Sequence, residues 1–190
     1  MPPIALAAEL LERGHHREAI AQFRILAQVE PSNAAYLSAL GNALLLDGQT
    51  GEAIARLRAA AELEPKSLET MNDLAIAVRR EGKAAEAIDL YRRVLAIDAS
   101  FVEAHFNLGS ALADSGDIPG ALEHYRAAVR LRPDNAYYRS VLGIELARQG
   151  DLAGALEHFE EAARLEPREP AYQNNLARAR GFGAPTPAPR

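Results

Sequence analysis

Apolar and small side chains recur along the chain at a fixed interval of 34 residues. Each interval contains an apolar stripe at helical spacing, a glycine, a second apolar stripe and, in most cases, a proline. Because one pair of helices cannot bury its apolar face alone, this pattern predicts a helical hairpin stacked on copies of itself. The repeated positions are held by glycine at Gly14, Gly48, Gly82, Gly116 and Gly150, by alanine at Ala19, Ala53, Ala87, Ala121 and Ala155, and by a larger apolar residue at Phe23, Leu57, Tyr91, Tyr125 and Phe159.

Turn-forming residues divide this pattern into units. Glycine tolerates the left-handed conformation that ends a first helix, aspartate caps a second helix, and proline ends it. These residues are Asp117, Pro119 and Asp151 at the start of second helices, Pro31, Pro65, Pro133 and Pro167 after second helices, and Asn33, Ser67, Ser100 and Asn135 at or near the start of the next first helix. We expect one repeat domain over 1–180, with units at 1–33, 34–67, 68–101, 102–135 and 136–169, a capping helix at 170–180 and a Pro/Gly-rich flexible tail at 181–190.

The repeat resembles the tetratricopeptide repeat (TPR). The resemblance rests on a Leu-Gly pair in first helices, an alanine followed four residues later by an aromatic residue in second helices, and the terminal proline. It implies an all-α, right-handed superhelical solenoid of about five helix-turn-helix repeats plus a C-terminal capping helix. The pairs are Leu40-Gly41, Leu108-Gly109 and Leu142-Gly143, while the family's tryptophan position holds Leu37, Met71, His105 and Arg139, which we expect to keep an apolar volume there.

Composition and charge exclude several classes of partner. The net charge is -5, with 11 basic and 14 acidic residues in 1–101 and 10 basic and 12 acidic residues in 102–190. Neither half therefore offers a basic surface for nucleic acid or for an anionic membrane. The sequence has no cysteine, no secretory leader pattern and no apolar run of about 18 residues that could cross a membrane. We expect a soluble, cytoplasmic protein.

The resemblance implies that one stripe of each first helix lines a concave groove that binds a peptide or helix of a partner protein. Asparagine, serine and arginine can hydrogen-bond such a segment, and Phe106 and Tyr137 can hold an apolar anchor. The family's carboxylate clamp is not expected, because Asp73, Tyr137 and Val141 replace the residues it needs. The charged residues of this stripe would equally fit a solvated helix face, and Ile76, Ile144 and Phe106 would then simply pack between neighbouring helices. The predicted contact residues are Ser38, Asn42, Asn72, Asp73, Arg79, Glu103, Phe106, Asn107, Ser110, Tyr137, Ser140, Arg148, Asn174 and Arg178.

Residues for catalysis or metal binding are not recognisable. His124 and His158 occupy equivalent positions one repeat apart, too distant to share an ion across stacked helices. His15 and His16 fall in a turn without suitably spaced carboxylates, and His105 takes the tryptophan position. No phosphate-binding, nucleophile-elbow or zinc-protease motif occurs. We therefore predict no catalytic residue, no metal and no cofactor: the chain is expected to be a scaffold or adaptor rather than an enzyme.

Two alternatives to the adaptor remain open. Apolar residues of the first helix, Leu6, Leu10 and Leu11, together with Leu45 and Leu46, would favour a structural unit that assembles with itself through its N-terminal helix. The chain could otherwise be a regulatory repeat module of a larger protein, joined through its proline-rich end.

Overall fold

The computed structural model describes the backbone of residues 3–183 and the side chains of residues 4–181. Within this range the chain forms α-helices and no β-strand, which confirms the predicted all-α repeat fold. The helices are α1 (Pro3–Glu12), α2 (His16–Val29), α3 (Ala34–Leu46), α4 (Thr50–Leu63), α5 (Leu68–Arg80), α6 (Ala84–Ile97), α7 (Val102–Asp114), α8 (Ile118–Leu131), α9 (Ala136–Arg148), α10 (Leu152–Leu165) and α11 (Pro170–Gly183).

The chain divides into two compact units, Met1–Asn107 and Leu108–Arg190, and the division falls inside α7. In the first unit α1 packs on α2, α3 on α4 and α5 on α6, and contacts of α2 with α3 and of α4 with α5 join the hairpins. In the second unit α9 packs on α8 and α10, and α11 packs on α10 and α9. Each unit is therefore built from helical hairpins that bury their apolar faces against neighbouring helices.

The five recurring glycines end the first helix of each hairpin, as predicted. Their φ angles are 78°, 79°, 87°, 84° and 83°, a region that L side chains rarely adopt. After Gly150, for example, the backbone N–H of Asp151 donates to the carbonyl of Leu146 at 3.0 Å. This is the six-to-one bond of a Schellman turn, which satisfies carbonyls at the end of the helix.

The Leu-Gly pairs bring two helices of a hairpin into close contact. A Cβ atom at Gly109 would lie 2.8 Å from Tyr125 Cδ1 and 3.1 Å from the carbonyl oxygen of Ala121. A Cβ atom at Gly41 would lie 2.6 Å from Leu57 Cγ. The large side chain of the second helix thus fills the space that glycine leaves, and both Tyr125 and Leu57 are buried.

Most predicted helix starts are capped by the residues that the sequence suggests. Side-chain oxygens of Asn33, Ser67, Asn135, Asp117 and Asp151 accept hydrogen bonds from backbone N–H groups in the first turns of α3, α5, α9, α8 and α10. Ser100 differs. Its backbone N–H and hydroxyl both donate to Asp98 Oδ1, at 2.8 and 2.6 Å, so Ser100 orders the turn that precedes α7.

The family's tryptophan position is apolar in only part of the chain. Leu37 and Met71 are buried. In contrast, His105 Nε2 lies 3.1 Å from the Ala99 carbonyl, and Arg139 Nε donates to the Pro133 carbonyl at 2.6 Å. The prediction that this position keeps an apolar volume is therefore wrong for His105 and Arg139, because their polar ends hold the turn before the helix.

The C-terminal end of the described chain differs from the prediction. Helix α11 runs to Gly183, three residues beyond the predicted end at 180. Glycine lowers helix propensity by about 1 kcal/mol without excluding helical geometry, and no further proline occurs before Pro185. The rest of the predicted tail, 184–190, lies outside the described residues.

Apolar residues of α1 are only partly exposed. Ile4 and Leu6 are 36% and 43% exposed, whereas Leu10 and Leu11 are half-buried. Leu46 is exposed, but Leu45 is buried and so cannot contribute to an apolar contact surface.

Candidate functional site

In the first unit, several predicted contact residues bond to one another. Asn42 Nδ2 on α3 donates to Asp73 Oδ2 on α5 at 2.6 Å. Asn107 Nδ2 on α7 donates to the buried Asn72 Oδ1 on α5 at 3.0 Å. These bonds join the first helices of successive hairpins. The polar stripe therefore serves the packing of the protein at these positions, and Asn72 is not exposed for a partner.

Burial raises the pKa of Asp73 above its ordinary value. The hydrogen bond from Asn42 lowers the pKa and the negative charge of Glu69 raises it, but the loss of hydration is the largest cause. The carboxylate thus lies where its charge is poorly solvated. The other predicted contact residues of this unit, Ser38, Arg79, Glu103 and Phe106, are half-buried.

In the second unit, the equivalent stripe is also partly used for packing. The Tyr125 hydroxyl donates to Ser110 Oγ at 3.2 Å. Asn175 Nδ2 on α11 donates at 3.1 Å to Ser140 Oγ on α9, a residue that is 4% exposed. Tyr137 is 55% exposed and its ring lies tilted against Tyr138, with 6.3 Å between centroids. Asn174, Arg148 and Arg178 are exposed.

A cleft of about 450 Å³ opens between α9, α10 and α11 in the second unit. Its floor is largely apolar, and three polar side chains stand at its rim. Two of these, Arg148 and Arg178, are predicted contact residues. The cleft is lined by Ile144, Ala147, Leu152, Ala155, Phe159 and Ala179 on the apolar side, and by Arg148, Asn175 and Arg178 on the polar side.

The rim of the cleft is positively charged. Arg148 Nη1 lies 3.3 Å from Glu145 Oε2, whose side chain is only 6% exposed, so part of the charge of Arg148 is neutralised. Among the described residues, Arg178 makes no ion pair or hydrogen bond. Arg178 therefore supplies the uncompensated positive charge beside the apolar floor.

Sequence reasoning found the arginines of the cleft but missed the part of its floor that α10 supplies. Leu152, Ala155 and Phe159 belong to α10, a second helix, and the predicted contact stripe lies on first helices only. One signal was present, because Leu152 and its equivalent Ile118 are large apolar residues at the start of second helices. The earlier repeats carry His16, Thr50 and Ala84 at that position.

The histidines form no obvious chemical centre. His15 Nδ1 lies 2.8 Å from Glu18 Oε1, so a carboxylate does face this turn, contrary to the expectation from the sequence. Burial lowers the pKa of His158, and the positive charges of Arg139 and Arg126 act in the same direction. Nδ1 of this histidine is buried and has no hydrogen-bond partner in the described part of the chain. In residues 3–183 no group of three or more histidine, aspartate or glutamate side chains could hold a metal ion.

A sequence model of the tetratricopeptide repeat matches residues 4–67, 39–101, 72–136 and 141–180, which together span most of the chain. The chain belongs to the tetratricopeptide repeat family. The TPR unit is typical of protein–protein interaction modules, and none of the chain's described helices is long and apolar enough to cross a membrane. No curated protein matches this TPR chain in sequence.

Solved structures share the TPR fold. TTC0263, a thermophilic TPR protein of Thermus thermophilus, is 21% identical with a TM-score of 0.78, covering 93% of this chain and 96% of that one. MamA is 22% identical with a TM-score of 0.73, covering 85% and 95% of the two chains. YrrB, described as a TPR protein with an unusual peptide-binding site, is 20% identical with a TM-score of 0.67, covering 92% and 90%. At these identities the likeness shows the fold alone.

Proposed function

We propose that this TPR chain is a protein-interaction module that acts by binding, not by catalysis. In this proposal a short linear segment of a partner protein binds on the second unit, and the cleft between α9, α10 and α11 receives one of its side chains. The observation that carries the proposal is the cleft itself, an apolar floor of peptide side-chain dimensions beside exposed arginines. Ligand sites commonly combine a mainly apolar cavity with a few polar groups that fix orientation.

Membership in the TPR family supports a protein as the partner. One structural neighbour is itself described as having a peptide-binding site. The exposed predicted residues Tyr137, Arg148, Asn174 and Arg178 are the ones we assign to contact with the partner in this unit. Ser140 acts indirectly, because its hydroxyl holds Asn175 at the rim.

A selection of displayed random short peptides on the intact chain tests this proposal. Selected peptides are synthesised with a fluorescent label, and their binding is measured by anisotropy. Ala179→Leu fills the cleft, and Ala171→Leu adds the same side chain at an exposed site near the start of α11. We expect peptides that bind one per chain and lose about tenfold or more in affinity with Ala179→Leu only, because a buried apolar side chain contributes about 1.5–3 kcal/mol.

A second variant set locates the binding surface. Arg79, Phe106 and Asn107, all in the first unit, are replaced together by alanine. If binding is lost with these replacements and is unchanged by Ala179→Leu, the first unit is the binding surface and the cleft is not. If the selection yields no binding peptide, the proposed function is wrong.

Exposed apolar residues at one end of the first hairpin favour self-association as a second candidate function. Leu6 near the start of α1 is 43% exposed, and Ile25 and Val29 at the end of α2 are 54% and 72% exposed. Because the helices of a hairpin run antiparallel, the start of α1 and the end of α2 lie at the same end of the first hairpin. Contiguous exposed apolar surface is typical of protein interfaces.

Sedimentation equilibrium over a range of concentrations tests this candidate. We expect an associating species that becomes monomeric with Val29→Glu. The control, Glu30→Gln, removes a charge at an exposed neighbouring residue and leaves the apolar surface unchanged. A chain that remains monomeric at the highest concentration refutes self-association.

A further inference from the structure

The cleft of the second unit places an apolar floor next to a charged arginine. Leu152, at the start of α10, is 43% exposed although it lines an apolar floor with Ile144 and Phe159. The exposed Arg178 also lines the cleft, and it has no acidic partner among the described residues. A ligand that covers the floor therefore also meets a positive charge.

The positive charge at the rim of the cleft favours a ligand that carries an acidic side chain. Arg148 already has a carboxylate, because Glu145 Oε2 lies 3.3 Å from its Nη1. Arg178 has none among the described residues, and its planar guanidinium can donate two parallel hydrogen bonds to a carboxylate. An arginine or lysine of a ligand would be repelled from this rim, whereas an aspartate or glutamate would complete an ion pair.

The backbone around the cleft argues against a terminal carboxylate as the acidic group. Chain termini are commonly held by backbone N–H groups in a concave turn. At the start of α10, the N–H of Leu152 already donates to the Gly150 carbonyl and the N–H of Gly154 donates to Asp151 Oδ1, each at 2.9 Å. These two donors are occupied, so an acidic side chain that reaches Arg178 fits better.

We propose that the cleft recognises an internal peptide segment in which a large apolar residue stands next to an aspartate or glutamate. The apolar side chain enters between Ile144, Leu152 and Phe159, and the carboxylate pairs with Arg178. This inference rests on the proposed function, since it names the chemistry of the segment that the same site would bind. In the first unit, by contrast, the carboxylate of Asp73 would repel such an acidic segment.

Four labelled peptides of common length and flanking Gly-Ser sequence test the inference by fluorescence anisotropy. The first contains leucine next to glutamate, the second leucine next to glutamine, and the third alanine next to glutamate. These three have amidated ends. The fourth replaces the glutamate by glutamine and ends on leucine with a free carboxylate. Each is measured with the intact chain at low and at moderate salt.

We expect the leucine–glutamate peptide to bind most tightly. Its affinity should exceed that of the glutamine peptide about fivefold at low salt, because a partly exposed ion pair contributes ~1 kcal/mol. This difference in affinity should shrink with added salt. Arg178→Gln should abolish that advantage. Arg168→Gln, an exposed arginine before α11 that does not line the cleft, should leave it unchanged. Thermal unfolding followed by circular dichroism verifies that both variants fold.

Four results overturn the inference. These are equal binding of the glutamate and glutamine peptides, an advantage that survives Arg178→Gln, tightest binding of the peptide with the free carboxylate, and failure of all four peptides to bind. The proposed function survives any of these results if the random selection still yields peptides whose binding Ala179→Leu weakens. If the selection yields no binding peptide, the proposed function is wrong together with the inference.

Discussion

Two tyrosines at equivalent repeat positions differ in whether their hydroxyl groups have a partner. The Tyr125 hydroxyl donates to Ser110 Oγ at 3.2 Å. Tyr91, one repeat earlier, is fully buried and its hydroxyl has no hydrogen-bond partner among the described residues. The residue equivalent to Ser110 in that repeat is Ile76, whose side chain can neither accept nor donate. Removing the Tyr125 hydroxyl should therefore lower stability, whereas removing the Tyr91 hydroxyl should not.

The magnitudes follow from hydrogen bonding in a buried site. Tyr125→Phe removes a satisfied hydrogen bond, which contributes about 0.5–1.5 kcal/mol, so we expect a loss of about 1 kcal/mol. Tyr91→Phe removes an unsatisfied hydroxyl, whose burial costs about 1–3 kcal/mol, so we expect unchanged stability or a gain of about 1 kcal/mol. Burial also raises the pKa of Tyr91, which agrees with a poorly solvated hydroxyl.

Urea unfolding followed by circular dichroism measures both effects from the midpoint at constant slope. Ile76→Ser, made with and without Tyr91→Phe, completes a double-mutant cycle. We expect a favourable coupling of about 0.5–1.5 kcal/mol between the introduced serine hydroxyl and the Tyr91 hydroxyl. Equal destabilisation by Tyr91→Phe and Tyr125→Phe, with no coupling in the cycle, would refute the reasoning.

Three other predictions concern packing, charge and capping. Gly109→Ala should destabilise the protein by about 1–3 kcal/mol in urea unfolding, because the new Cβ would overlap the Tyr125 ring; an unchanged midpoint would contradict the close contact. Asp73→Asn should gain stability over the wild type as pH rises from about 3 to about 7. Because the pKa of Asp73 is raised in the folded state, the folded protein keeps this proton to a higher pH than the unfolded chain does. The stability that this group contributes is therefore full below the unfolded pKa and is lost as pH rises through the folded pKa. Parallel stability profiles of the two proteins would exclude this. Asp151→Ala should cost about 1 kcal/mol, through loss of the 2.9 Å cap on Gly154, and Asp151→Asn, which can still accept that bond, is the control.

Local signals in the sequence account for the success of the fold prediction. The glycine of a Schellman turn and the aspartate of a helix cap act within a few residues, so Gly150 and Asp151 could be assigned without knowledge of the neighbouring helices. The partner of Asn107 could not be assigned in this way. Asn72 lies 35 residues earlier on another helix, and the bond depends on how the two helices are aligned.

The stripe of first-helix positions could be read from helical spacing, but the exposure of its side chains could not. Helical spacing places Ser140 and Arg148 on one face of α9, yet the packing of α11 buries Ser140 and leaves Arg148 exposed. The cleft was harder to predict, because its floor comes from a second helix and depends on the gap between three elements. Residue spacing within one helix carries no information about such a gap.

The ninth residue of each first helix shows how one fold can carry different chemistry. At this position Asn42 donates a hydrogen bond to Asp73, Ser110 accepts a hydrogen bond from the Tyr125 hydroxyl, and Arg178 stands at the rim of the cleft. The glycine turn and the buried apolar residues already fix the hairpin, so this position is free to vary without loss of the fold. Replacing Arg178 by the isoleucine found at the equivalent Ile144 should therefore preserve the structure while removing the charge. For that reason we propose that recognition depends on residues that differ between repeats, whereas the recurring glycines and buried apolar residues fix the hairpin.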